Sequence, residues 1–418
     1  MAIKRTPEDF QVDEVLAEDL VARISDAPGP FALYRLTKEG LATPEAAARV
    51  ARALGLPGGA VAYAGLKDKH ALAAQHLTLK LDRSCAEAPE RAEGPGWHLE
   101  RIGWLPAPIT ATAIARNRFC IVLRALTLDA CSDMERAAKL LDPGTVQGAS
   151  GGQARREERL PAAIRIVNYF GDQRFGSARH RQGFLAKHLI RGEFEAALRL
   201  AIATEARKDR REQKDFKRTL AAEWGRWKEL NARFAGRKFP ERRALERLAH
   251  SSGDFRAAFC ALPYFFQQLS VYAYQSHLWN SIARRMVAGQ CAARGPVLAA
   301  DDPFGEMLFP AATAIPEELG MLQLPLLGRK TELREPWKDA AQAVLDEEGI
   351  TLDDLRIPGV RRPFFGEAPR GFLVQATQLE LGPPEPDEFG GPGRFKRKVA
   401  FELPRGAYGT VVLRALGQ

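Results

Sequence analysis

The sequence predicts an α+β fold that is interrupted by a mostly helical insertion. Strand patterns with few helices fill about the first 160 residues, a helical period takes over beyond Phe184, and strand patterns return after Pro363. Because 418 residues exceed the roughly 250–300 at which a single core stops growing, two domains are expected. An insertion between two halves of one domain explains the returning strands better than two domains in tandem. We therefore assign residues 1–160 and 366–418 to the outer domain and residues 161–365 to the insertion.

The outer domain contains short apolar patterns that are typical of half-buried strands. Thr43 precedes Pro44 and an alanine-rich stretch, so its hydroxyl is expected to cap a helix that stops near Gly55. A second helix is predicted around residues 132–141. Strands are expected at 10–13, 31–36, 61–64, 75–81, 97–104 and 119–126, and on the returning chain at 371–376 and 397–403.

The clearest helix of the insertion follows Pro263. Residues recur there at steps of three and four, which defines one face of a helix. We expect this face to lie in the core, because burial is the commonest use of such a stripe. Its members are Phe265, Leu269, Tyr272, Ser276, Trp279, Ala283 and Met286.

The composition is that of a globular protein, with 45% hydrophobic and 27% charged residues. No run of about 18 apolar residues occurs and the first residues lack a signal-peptide pattern, so we expect a soluble cytoplasmic protein without a membrane partner. Five cysteines stand far apart, and seven histidines are scattered without the spacing of metal ligands. Neither a disulfide framework nor a metal site is predicted.

The net charge of +9 suits a polyanionic partner, although many basic proteins bind none. Two basic runs lie in the insertion and are open to two interpretations: solvated helix faces, which are common, or an RNA-binding surface. The residues concerned are Lys208, Arg210, Arg211, Lys214, Arg237, Lys238, Arg242 and Arg243.

The most informative segment is the connection between two predicted strands, where Asp68 lies between Lys67 and Lys69. Taken alone, an aspartate in a glycine-containing loop usually makes a local turn hydrogen bond, and flanking lysines are usually hydrated. These residues gain a chemical meaning only from a wider pattern.

That pattern is a resemblance to the TruD family of pseudouridine synthases, found in seven segments taken in order along the chain. The departures are small: Val167 replaces a proline, Ala73 and Ala74 stand where threonine is frequent, and Gly409 stands where alanine is common. The seven segments are 5–14 with Pro-Glu-Asp-Phe, 63–71 with Gly-Leu-Lys-Asp-Lys, 117–119 with Asn-Arg-Phe, 167–176 with Asn-Tyr-Phe-Gly, 179–184, 275–280 with Gln-Ser and Trp-Asn, and 401–414.

The resemblance implies a fold, an activity and a set of partners. The outer domain would be a pseudouridine-synthase catalytic domain with a mixed or antiparallel sheet, and the insertion would be of the TruD type. The implied reaction converts a uridine of tRNA, at position 13 in the D-arm region, into pseudouridine. We expect a monomer that needs neither a cofactor nor a guide RNA.

The resemblance also implies the site residues. Asp68 would be the catalytic carboxylate, Phe119 would stack on the extruded base, and Asn117 would be its polar neighbour. Phe401 would supply a second aromatic, and Lys67 and Lys69 would hold phosphates or favour the ionised form of the nearby carboxylate. Whether the carboxylate forms an ester at C1′ or removes a proton on a glycal route stays open.

Some alternatives remain. Phe119 could instead be a core residue of its strand. Glu8 and Glu14 could form an acid pair, but carboxylates on an N-terminal strand more often face solvent, and we expect His70 to be structural. At the level of function, the rivals are an RNA-binding protein that has lost catalysis and the same chemistry on another RNA.

Overall fold

The computed structural model describes residues 3, 5–69, 71–80, 88–145, 160–176, 183–205, 209–237 and 239–418. The chain forms two compact units. Unit 1 contains Met1–Ile166, Ala311–Thr313 and Val374–Gln418, and unit 2 contains Val167–Pro310 and Ala314–Leu373. The boundaries predicted from sequence lie at residues 160 and 365, and the compact units change over at residues 166 and 373.

The strands and helices have the following bounds in chain order. The strands are β1 (Phe10–Leu16), β2 (Phe31–Lys38), β3 (Val61–Tyr63), β4 (Leu72–Lys80), β5 (Arg91–Gly94), β6 (Trp97–Leu105), β7 (Ile114–Leu126), β8 (Ala163–Val167), β9 (Val297–Ala300), β10 (Met307–Pro310), β11 (Gln323–Pro325), β12 (Pro369–Gly371), β13 (Leu373–Leu381), β14 (Glu385–Pro386) and β15 (Phe395–Pro404). The helices are α1 (Glu18–Val21), α2 (Thr43–Ala53), α3 (Leu128–Leu140), α4 (Leu185–Ile190), α5 (Phe194–Ile202), α6 (Arg211–Ala222), α7 (Trp227–Arg233), α8 (Arg242–His250), α9 (Phe255–Cys260), α10 (Tyr264–Met286), α11 (Glu317–Gly320), α12 (Lys338–Glu348) and α13 (Gly409–Ala415).

Unit 1 is built on a mixed sheet with the strand order β5-β6-β2-β4-β1-β7-β15-β13-β8. The neighbours β1 and β4 are parallel, whereas β7 pairs antiparallel with both β1 and β15. The returning strand β15 therefore lies directly beside β7, and Phe401 is opposite Phe119 in the register. The predicted α+β class with a mixed sheet is confirmed.

Strand alternation decides which side chains of this sheet enter the core. In β1 the residues Phe10, Val12 and Glu14 are buried. In β2 every second residue from Ala32 to Lys38 is buried as well. Helix α2 covers part of this face with Ala46 and other small apolar residues. Two charged residues, Glu14 and Lys38, thus share the buried face with the apolar ones.

A buried arginine ties the N-terminal segment to the returning chain. Arg124 is 6% exposed and donates hydrogen bonds to Asp9, at 2.9 to 3.0 Å, and to Asp387 and Glu388. Asp9 also accepts the backbone N–H groups of two residues that precede it. Because breaking a buried ion pair typically costs about 3–5 kcal/mol, this cluster fixes the start of β1 firmly.

Unit 2 is mostly helical and carries two short antiparallel strand pairs, β9 with β10 and β11 with β12. Its longest helix, α10, is buried on most of its circumference from Gln267 onward. The predicted core face of α10 is wrong at Phe265, which is 62% exposed, and only half right at Leu269 and Tyr272, which are half-buried. The first turn after Pro263 extends beyond the packing that surrounds the rest of the helix. Among the described residues, no helix is long and apolar enough to span a membrane.

Two segments that resemble family signatures hold unit 2 together. The Asn280 amide accepts the backbone N–H of Phe170 and donates to its carbonyl oxygen, both at 2.9 Å. Arg174 donates to the Ser276 hydroxyl at 3.0 Å, and Trp279 meets the Phe170 ring edge to face. These segments therefore have a packing role within unit 2.

Candidate active site

The connection from β3 to β4 presents the central residues of the candidate site. The two strands pair antiparallel, with Tyr63 opposite Leu77. In the loop that joins them, Asp68 is half-buried and Leu66 is 60% exposed. His70, which we expected to be structural, lies outside the described residues.

The backbone of this loop is held at two consecutive residues. The N–H of Lys67 donates to the Thr43 hydroxyl at 2.9 Å, and the carbonyl oxygen of Asp68 accepts from the Lys38 ammonium at 2.8 Å. Thr43 in turn donates to the side-chain oxygen of Gln75 at 2.8 Å. Both contacts fix the loop from neighbouring elements, because Thr43 belongs to α2 and Lys38 to β2.

The predicted capping role of Thr43 is wrong. The capping position of α2 is occupied by Ala42, and the Thr43 side chain makes no cap hydrogen bond. Thr43 is the first helical residue and is 1% exposed, so its hydroxyl points into unit 1, where the loop needs an acceptor. The helix start is consequently used to position the loop.

Polar contacts of the Lys67 side chain link the loop to β7. The Lys67 ammonium lies 2.7 Å from Oε1 of Glu14 and donates to Oδ1 of Asn117 at 2.8 Å. The other carboxylate oxygen of Glu14 accepts the backbone N–H of His76 at 2.8 Å. Burial by itself would raise the pKa of Glu14, but the contacts with His76 and Lys67 outweigh burial and lower it.

These contacts correct one expectation and refine another. Glu14 was expected to face solvent and is instead 6% exposed, whereas Glu8 is exposed. Lys67 was expected to hold phosphates or to lie beside Asp68, but its side chain is only 11% exposed and contacts Glu14 and Asn117. Lys69 is more open, with 44% of its side chain exposed and its ammonium 3.3 Å from Glu45, whose pKa it lowers.

The aromatic residues of the candidate site form a stack between β7 and β15. The rings of Phe119 and Phe401 are 5.2 Å apart at an angle of 23°, and Phe10 meets Phe119 edge to face at 6.3 Å. Phe119 is 8% exposed and Phe401 is 1% exposed. A Cβ on Gly409 would lie 3.0 Å from the Phe119 ring, so the glycine gives this ring its space.

An ion pair fixes the register that creates this stack. Arg118 donates two hydrogen bonds to one carboxylate oxygen of Glu402, at 2.9 and 2.7 Å, and Arg116 lies 3.6 Å from the other oxygen. Arg118 and Glu402 are opposite each other on β7 and β15, next to the pair formed by Phe119 and Phe401. The pair therefore holds the two aromatic rings opposite each other although 282 positions separate them in sequence.

The family of the chain is shown by a match that covers almost its whole length. A family model described as tRNA pseudouridine synthase D (TruD) matches residues 1–416. The chain belongs to the TruD family. This confirms the resemblance on which the prediction of the site was based.

Individual TruD proteins agree with this assignment. The Aquifex aeolicus protein named tRNA pseudouridine synthase D is 26% identical over 417 residues, which cover 99% of this chain and 97% of that protein. A Leptospira interrogans protein of the same name is 23% identical and is covered to 95%. The crystal structure of a Methanosarcina mazei protein, described as a candidate TruD, shares the fold with a TM-score of 0.68 at 23% identity, covering 99% of this chain and 92% of that one.

In this member of the TruD family, the structure brings together most of the site residues that were predicted from the sequence. Lys67 contacts Asn117, Asn117 is two residues from Phe119 on β7, and Phe119 stacks on Phe401. Lys69 points to the surface beside Glu45.

Three residues of this arrangement, Lys38, Thr43 and Glu14, were missed by the sequence prediction of the site. A signal for two of them existed. Glu14 and Lys38 are in phase with the buried apolar positions of their strands, and a charged residue at such a position is unusual.

Proposed function

We propose that this chain isomerises a uridine of tRNA to pseudouridine and that the Asp68 carboxylate performs the chemistry. One observation supports this most: Asp68, Asn117, Phe119 and Phe401 come from three distant parts of the sequence and belong to one compact unit. There the hydrogen bond between Lys67 and Asn117 connects the loop to the strand that carries the aromatic stack.

The reaction breaks the N1–C1′ bond of the nucleotide and forms a bond between C5 and C1′. The proton on C5 leaves and N1 gains a proton, so no oxidant, reductant or second substrate is consumed. A carboxylate at the sugar can either attack C1′ or remove a proton while the base turns. Asp68 can serve in both routes, and the proposed reaction needs no cofactor.

The hydrogen bond from Lys67 gives Asn117 a defined role in this proposal. An ammonium group can only donate, so the Asn117 oxygen must face Lys67 and the amide NH₂ group must point elsewhere. The NH₂ group has no hydrogen-bond partner among the described residues. We infer that it donates to a carbonyl oxygen of uracil. A contact with O4 would disfavour cytosine, which presents an amino donor at that position, whereas a contact with O2 would not, because both bases carry O2.

This role can be tested with Asn117→Asp. The carboxylate still accepts from Lys67 but cannot donate to uracil. We expect the single-turnover rate constant to fall roughly 10-fold or more, because a polar group left unpaired in a closed site costs about 1–3 kcal/mol. Urea unfolding would be measured on the same protein. An unchanged rate constant in a folded Asn117→Asp protein would contradict the assigned contact.

The proposed substrate is tRNA with uridine 13 as the target, recognised by the protein without a guide RNA in the cytoplasm. We propose that a monomer is sufficient, because the residues assigned to catalysis and base binding all belong to unit 1. The positive net charge of +9 supports binding to a polyanion.

The test of this function uses the wild-type protein and defined transcripts. Purified protein is incubated with unmodified tRNA and with the same tRNA carrying cytidine at position 13, and pseudouridine is then mapped at nucleotide resolution. We expect one pseudouridine at position 13 of the first tRNA and none in the second. A different position would correct the target, and binding without any pseudouridine would favour an RNA-binding protein that lacks catalysis.

A further inference from the structure

Lys38 is buried at the end of β2, where a lysine is unexpected. It is 1% exposed and lies in phase with the core residues of its strand. Its ammonium donates to two backbone carbonyl oxygens, those of Leu41 and Asp68, each at 2.8 Å. A buried charge is costly unless it makes such contacts, and one of these two belongs to the residue assigned to catalysis.

The contact acts on the geometry of the loop. Lys38 holds the carbonyl oxygen of Asp68, and Thr43 holds the N–H of Lys67, so consecutive residues of the loop are fixed from β2 and α2. A side chain that must approach a sugar carbon depends on this kind of restraint, because a displacement of about 1 Å can lower a rate roughly 100-fold.

The contact also places a positive charge close to Asp68. Burial lowers the pKa of Lys38 to about 8, the negative charge of Asp68 raises it, and the positive charge of Lys67 lowers it. These are the charged groups of the loop that act on Lys38, and Lys67 is itself paired with Glu14 from β1. The neighbouring α2 and β4 contribute the uncharged side chains of Thr43 and Gln75 to the same network.

We propose that Lys38 is a positioning residue of the reaction, which holds the backbone of Asp68 and favours its ionised carboxylate. The inference rests on the proposed function, since it assigns to Lys38 an effect on the carboxylate named there. It implies that turnover requires the protonated form of Lys38. The rate constant should therefore fall when the pH rises above the pKa of this buried ammonium.

The experiment measures single-turnover rate constants between pH 6 and 10. Saturating enzyme is mixed with tRNA labelled with tritium at C5 of uridine, because the C5 hydrogen is released to water when the C5–C1′ bond forms. Lys38→Met removes the donor and the charge, whereas Lys38→Arg keeps a charge that persists throughout this pH range. The matched control is Lys217→Met, which removes another fully buried lysine that pairs with Asp209 and Glu241 in unit 2.

We expect Lys38→Met to lower the rate constant about 100-fold at pH 7, while the Kd for tRNA changes by less than about threefold. The wild type should lose activity above about pH 8, and this loss should move to higher pH in Lys38→Arg. If the inference holds, Lys217→Met leaves the pH dependence of the rate constant unchanged, whatever its effect on the melting temperature.

Three results would overturn the inference: a rate constant for Lys38→Met within about threefold of the wild type, a flat wild-type profile from pH 7 to 10, or an alkaline loss that is identical in Lys38→Arg. If Lys38→Met does not fold, as judged by circular dichroism, the wild-type and Lys38→Arg profiles decide. Absence of pseudouridine with the wild type would instead refute the proposed function, so the two failures are distinguishable.

Discussion

Replacing Phe119 with leucine separates a base-stacking role from a core role. The substitution keeps apolar volume and removes the ring. Phe119 is 8% exposed and packs against Phe401 and Phe10, so some loss of stability is expected in either case. A swap of similar volume together with the loss of an aromatic pair should lower the free energy of unfolding by about 1–2 kcal/mol.

The two roles differ in their effect on catalysis. Stacking of a base on an aromatic ring is worth about 1–3 kcal/mol, and each 1.36 kcal/mol changes a rate about tenfold. If the Phe119 ring receives the extruded uracil, the single-turnover rate constant should fall about 5-fold to 150-fold at saturating tRNA. The core role predicts a lower melting temperature and a nearly normal rate constant in the folded protein.

Phe10→Leu is the matched control for this prediction. Phe10 belongs to the same aromatic group, is 4% exposed and meets Phe119 edge to face. Its replacement should cost similar stability without a comparable loss of rate. Urea unfolding and the single-turnover assay would be carried out on both variants. If the two variants lose equal stability and neither loses rate, Phe119 is a core residue and the stacking role is refuted.

Two further predictions concern charge. Lys38 has a pKa lowered from 10.5 to about 8, so between these values the unfolded chain keeps a proton that the folded chain has released, and stability must rise with pH. The wild type should therefore gain up to about 3 kcal/mol relative to Lys38→Met between pH 8 and 10.5 in urea unfolding, and a difference that does not vary with pH would contradict this. Replacing the exposed Arg210, Arg211 and Arg243 with glutamine should reduce the salt dependence of tRNA binding by up to about 2–3 units of logarithmic slope, with little effect on the saturated rate constant. An unchanged slope would leave the insertion without this role, and the control neutralises three exposed arginines of unit 1, Arg52, Arg91 and Arg136.

Local patterns were sufficient to predict much of unit 1. The alternation around Phe10 and Phe31 and the stop at Gly55 predicted elements that the structure contains, because strand period and a residue with positive φ are local properties. Several strands extend further than predicted, as in β7, which begins at Ile114, before the apolar run starts. Its first residues include Arg116 and Arg118, whose partner Glu402 is supplied by a strand from the other end of the chain.

The candidate site was predictable only in part, because some of its contacts join segments that are distant in the sequence. Asp68, Asn117, Phe119 and Phe401 were identified through their resemblance to family segments. The hydrogen bonds of Lys38 and Thr43 depend on a loop that folds back onto β2 and α2, and no local pattern contains this information. Glu14 is a different case. Its alternation with Phe10 and Val12 indicates a buried position. The prediction instead followed the general preference of carboxylates for solvent.

Asp68→Asn decides whether the Asp68 carboxylate performs the isomerisation. Asp13→Asn is the matched control, since Asp13 is a half-exposed carboxylate of the same unit that lies 3.9 Å from Arg35. Pseudouridine would be quantified after a single turnover with saturating enzyme, together with the Kd for tRNA. We predict no detectable pseudouridine with Asp68→Asn, a Kd within about tenfold of the wild type, and normal turnover with Asp13→Asn. Pseudouridine formation by Asp68→Asn at the wild-type rate would show that the reaction does not require the Asp68 carboxylate.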